Sequence, residues 1–124
     1  MIKNEKIYAV DFDGTLSKNS KWPEIGDANN ELFDFLIKKK NDGNYIILWT
    51  CRCEKESEEA VEFCKENGLE FDAVNDNMPH ISELFGSNTR KIYADYYIDD
   101  KNYDPIEKRN KWRETMRKRL KGER

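Results

Sequence analysis

The chain has 124 residues, 37% hydrophobic and 38% charged, with a net charge of −3. That suffices for one domain with a thin core. No apolar run nears the roughly 20 residues of a bilayer span, and no secretory segment opens the chain, so a cytoplasmic protein with no membrane partner is expected.

The elements are predicted in chain order. Lys6–Val10 is a first apolar strand, followed by a loop over Leu16–Asn30 with Trp22, Pro23 and Gly26 as breakers. A helix over Asn30–Asn41 is capped by Asn29 or Asn30 and closed by Gly43. Tyr45–Trp49 is a second buried strand. Glu54–Asn67 is an acidic amphipathic helix with Ser57, Ala60, Val61 and Cys64 facing inward. A short strand over Phe71–Val74 and a short helix over Pro79–Phe85 follow, and a last strand ends in Tyr96-Tyr97-Ile98. Residues after Pro105 are expected to be helical.

Strands alternating with helices predict an α/β three-layer sandwich around a mainly parallel sheet. In such sheets ligands bind beyond the carboxyl ends of the strands. The first strand runs into Asp11, the second into Thr50 and the last into Asp99-Asp100, so three polar groups are predicted at one edge. A strand ending in Asp or Thr before a turn explains each singly; the set points to a site.

The run Asp11-Phe12-Asp13-Gly14-Thr15 places two carboxylates two residues apart on a glycine turn. Such a pair can divide labour, one attacking and the other handling protons. The run resembles the first signature of the haloacid dehalogenase (HAD) superfamily of phosphohydrolases. Ile46-Ile47-Leu48-Trp49-Thr50 is similar to the second motif, Lys91 to the basic residue of the third, and Tyr97-Ile98-Asp99-Asp100 to the fourth. Arg90 competes with Lys91, which lies only eight residues before Asp99.

The resemblance implies a Rossmann-like core over residues 1–104 and a Mg²⁺-dependent phosphomonoester hydrolase. Asp11 is then the nucleophile that becomes an aspartyl-phosphate, and Asp13 the acid and base. Thr50 and Lys91 bind the phosphoryl oxygens. The metal set is the Asp11 and Asp99 side chains, the Asp13 backbone carbonyl and Asp100. Four crowded acidic groups call for such a cation, and Mg²⁺ suits carboxylate oxygens. An Asp at position 13 favours a phosphatase over a dehalogenase or transport ATPase. The gaps Leu16–Asn30 and Cys51–Arg90 leave no room for a cap domain, so an open cleft is expected.

The substrate class is left open between nucleotides, other small phosphates and polynucleotide ends. Trp22 either stacks on the substrate or pins its loop, and Arg52 is a candidate substrate contact. Lys18 and Lys21 read as solvated lysines, and Asn75-Asp76-Asn77 as an ordinary turn. Cys51, Cys53 and Cys64 are expected to be reduced, because zinc needs about four ligands and His80 is the single histidine.

Residues 101–124 hold ten basic and four acidic side chains, a net +6 that leaves −9 on the rest. Residues 105–124 read as a basic helix with Ile106, Trp112, Met116 and Leu120 as its apolar stripe. It either docks on the body, attracts nucleic acid, or joins copies of the chain into a homo-oligomer. A non-enzymatic module of the same fold, binding nucleic acid or a partner protein through this helix, is the alternative to an enzyme.

Overall fold

The computed structural model describes residues 5–102 and 114–122. Its centre is a four-stranded parallel sheet. The strands are β1 (Ile7–Val10), β4 (Tyr45–Leu48), β5 (Ala73–Val74) and β6 (Tyr96–Ile98), in the order β5-β4-β1-β6. Two further short strands, β2 (Ser17–Lys18) and β3 (Asp27–Ala28), pair antiparallel. The segment expected to be a plain loop is thus a small hairpin. With two residues per strand it carries no apolar alternation by which sequence could reveal it.

Alternation along β1 builds the three layers. Tyr8 and Val10, with Ile46 and Leu48, face α1 (Asn30–Asn41) and α2 (Glu54–Glu66) through Phe33, Leu36, Ala60 and Cys64. Ile7, Ala9 and Ile47 face the other way, onto Met78, Ile81 of α3 (Pro79–Phe85), Ile92 and Ala94. The expected α/β architecture is therefore present, with the strands slightly shorter than predicted. Asn29 is the N-cap of α1, accepting the Leu32 N–H at 3.4 Å. No described helix is long and apolar enough to cross a membrane.

Register fixes which residues emerge at the carboxyl edge of the sheet. Val10 pairs with Leu48 on one side and Ile98 on the other. The ladder then runs one step further: Asp11 N–H donates to Ile98 C=O at 2.9 Å, Trp49 N–H to Val10 C=O at 2.8 Å and Asn75 N–H to Leu48 C=O at 2.8 Å. The residues that follow each strand therefore emerge together.

At the C-terminal end, residues 114–120 are helical and Leu120 is exposed. Ile106 and Trp112 of the expected stripe lie outside the described residues, as does 103–113 generally.

Candidate active site

The turn after β1 is tied by its own backbone. Thr15, Leu16 and Ser17 N–H all donate to Phe12 C=O, and Gly14 N–H donates to Ser17 C=O at 2.8 Å. Those amides are consumed by the turn, so they do not face a ligand as free donors. Gly14 has φ +81°, a left-handed conformation that favours glycine. A side chain there would also strike the Asp100 carboxylate.

Asp11, Asp99 and Asp100 each offer a carboxylate oxygen within 4.8 Å of the others. Thr15, itself buried, joins the two ends of this group. Its hydroxyl donates to Asp11 Oδ2 at 3.2 Å and accepts the Asp100 N–H at 3.1 Å. Burial first, and then the charge of Asp99, push the Asp11 carboxyl up to about 6 from 3.8, with Asp100 adding in the same direction. Hydrogen bonds from the Phe12 N–H and the Thr15 hydroxyl oppose that rise. Three hard oxygen donors held this close, at a mutual electrostatic cost, could hold a divalent cation that relieves it.

Asp13 stands apart from this cluster. Its side chain turns to Arg52, accepting from Nε at 2.8 Å on Oδ2 and from Nη2 at 2.7 Å on Oδ1. Arg52, a candidate substrate contact by sequence, is turned inward and 1% exposed. It also donates to the carbonyls of Pro23, Glu24 and Glu56. Its guanidinium carbon lies 5.0 Å from the centre of the Phe12 ring and 4.8 Å from that of the Trp22 ring. Trp22 thus pins its hairpin to Arg52, while the residue as a whole stays 61% exposed.

Thr50 sits at the same edge. Its hydroxyl accepts the Arg52 N–H at 3.1 Å, and its own N–H donates to Asn75 Oδ1 at 2.8 Å. Lys91 is exposed, with Nζ 5.6 Å from the centre of the Tyr97 ring. Among the described residues it forms no ion pair with the three carboxylates. It lines an open groove of about 830 Å³ with Trp49, Tyr97 and Ile98, the residue before Asp99. Arg90 is exposed as well.

Asn77, read from sequence as a turn residue, is buried and organises the loop that carries Arg90 and Lys91. Its Nδ2 donates to Asn88 Oδ1 at 2.9 Å and to Thr89 C=O at 3.2 Å, and its Oδ1 accepts the Tyr93 N–H at 2.8 Å. An Asn-rich turn after a strand at the carboxyl edge was the one available signal. Cys51 and Cys53 are exposed free thiols; burial pushes the Cys64 thiol up to about 12.

No family model and no curated protein matches the chain. A solved structure of a conserved protein from Bacteroides thetaiotaomicron is similar to it, with 37% identity and a TM-score of 0.69, over 80% of this chain and 78% of that one. At this identity and coverage the chain belongs to the same family as that conserved protein.

Proposed function

We propose that the protein is a capless phosphohydrolase of the HAD superfamily, acting on phosphomonoesters of small molecules, nucleotides among them. The observation that carries this reading is the meeting of Asp11, Asp99 and Asp100 within 4.8 Å at the sheet edge where Thr50 also emerges after β4. The order of these residues along the chain is that of the superfamily's motifs.

In this reading the Asp11 carboxylate attacks phosphorus and an Oδ–P bond forms. The P–O bond to the leaving group breaks, and the leaving oxygen takes its electron pair and a proton from Asp13. Water then attacks phosphorus and gives its proton to Asp13. The Oδ–P bond breaks, returning the Asp11 carboxylate and inorganic phosphate. The Thr50 hydroxyl donates to a phosphoryl oxygen, and Lys91 reaches over from the groove to neutralise charge. Asp11, Asp99 and Asp100 would hold a Mg²⁺ ion, which when bound offsets the repulsion between carboxylate and phosphate.

The test is phosphate release from p-nitrophenyl phosphate with Mg²⁺ and with excess chelator. Turnover should require the metal and vanish in Asp11→Asn. An Asp11→Asn protein that keeps wild-type turnover overturns the reading.

A further inference from the structure

We infer that Arg52 is a positioning residue that holds Asp13 as proton donor, and that the β2–β3 hairpin acts through it. The inference rests on the phosphatase reading and adds to it a control on the leaving-group step.

Asp13 lies on a turn and is partly open to solvent, at 37% side-chain exposure. A carboxylate in that position rotates freely unless something fixes its plane. Arg52 does so with two parallel bonds, Nε to Oδ2 and Nη2 to Oδ1. A guanidinium makes this two-pronged contact and an ammonium does not. A carboxylate has roughly four lone-pair sites. The two bonds from Arg52 leave the others free to carry the proton that a leaving oxygen takes, or, once that proton is gone, to accept from a water.

Arg52 is itself immobilised from several sides. The Pro23 and Glu24 carbonyls, from the hairpin, accept from Nη2 at 2.9 and 3.4 Å. The Glu56 carbonyl of α2 accepts from Nη1 at 3.5 Å. The centres of the Phe12 and Trp22 rings lie 5.0 and 4.8 Å from the guanidinium carbon. Phe12 is the residue between the two aspartates, so the fork is referenced to the turn it serves. Trp22 brings the hairpin into the same cluster. A buried cation with this many partners does more than neutralise one charge: it sets where Asp13 points and makes that depend on the hairpin's position.

The consequence is specific to the leaving group. When the Oδ–P bond to Asp11 forms and the ester P–O bond breaks, an alkoxide must take the proton from Asp13. A p-nitrophenolate departs without it. Asp13 also takes the proton of the water that hydrolyses the aspartyl-phosphate, a step common to both esters. The selective effect therefore lies in kcat/KM, which ends at leaving-group departure: misplacing Asp13 lowers it far more for alkyl esters than for the activated aryl ester.

The experiment compares β-glycerophosphate with p-nitrophenyl phosphate for wild type, Arg52→Lys, Trp22→Ala and Asp13→Asn. General acid catalysis contributes about 10²–10⁴-fold, so kcat/KM on the alkyl ester should fall about 10- to 100-fold in Arg52→Lys and Trp22→Ala. The loss on the aryl ester should be several-fold smaller. Asp13→Asn should show the same asymmetry in kcat/KM, with kcat lowered on both esters because the shared hydrolysis step loses its base. Equal losses of kcat/KM on both esters, or no loss on either, overturn the role of Arg52. If Arg52→Lys fails to fold by circular dichroism, Trp22→Ala carries the test, because that residue is largely exposed. A wild-type protein that hydrolyses neither ester overturns the phosphatase reading; wild-type turnover with equal losses overturns the positioning role alone.

Discussion

The Asp100 carboxylate lies against Gly14 on the side where any other residue carries its Cβ. The two positions are far apart in sequence, and they meet because β6 pairs with β1 in parallel register. Gly14→Ala adds both a left-handed φ penalty of about 1–2 kcal/mol and this clash. The variant should melt earlier than wild type. It should also lose most of the Mg²⁺-induced rise in melting temperature, since Asp100 must move. A variant with wild-type Mg²⁺ response contradicts the proposed metal set.

The pH dependence follows from Asp11, whose carboxyl stands at about 6 in the fold against 3.8 ordinarily. The folded state keeps this proton to higher pH than the unfolded chain does. Cation-free protein should therefore lose stability as pH rises from about 4 through 6, with no further loss from this group above that. A bound cation needs the ionised form, so Mg²⁺ stabilisation should be weak at pH 5 and full at pH 7.5. Thermal melts at both pH values, with and without Mg²⁺, check the sign. Asp11→Asn should flatten the cation-free profile over that interval.

Thr15 bridges Asp11 and the Asp100 N–H with one hydroxyl. Thr15→Val keeps the shape and leaves the backbone donor without that acceptor, at a cost of about 1–3 kcal/mol. Urea denaturation should show the loss, and Thr15→Ser should restore most of it. Equal stability of the Val and Ser variants would show that the bridge contributes nothing.

Asn77 holds residues 88, 89 and 93 from beneath the loop that presents Arg90 and Lys91. Asn77→Ala should cost about 2–3 kcal/mol through the partners it strands. If Lys91 neutralises the phosphoryl group, the same variant should raise KM more than it lowers kcat. Lys91→Ala should do likewise, with Arg90→Ala nearly silent. The reverse ranking would assign the role to Arg90.

Much of the fold was legible from local pattern alone. Four-residue apolar runs, a helix cap at Asn29 and glycine stops at Gly43, Gly68 and Gly86 are short-range signals, and each depends on residues a few positions apart. The strand-end residues Asp11, Thr50 and Asp99 could be gathered on one edge for the same reason: a parallel sheet has only one carboxyl edge. Partners were not legible. Arg52 grips Asp13 across 39 positions and Thr15 meets Asp100 across 85, and neither spacing carries a period. Such pairings are decided by side-chain packing once the layers have closed. They turned Arg52 from a candidate substrate contact into a buried clamp and made the loop at Trp22 a hairpin that covers it. The sequence by itself determined which chemistry-bearing residues reach the edge. Only the tertiary structure decided which of them face one another, because rotamer and burial are set by neighbours distant in the chain.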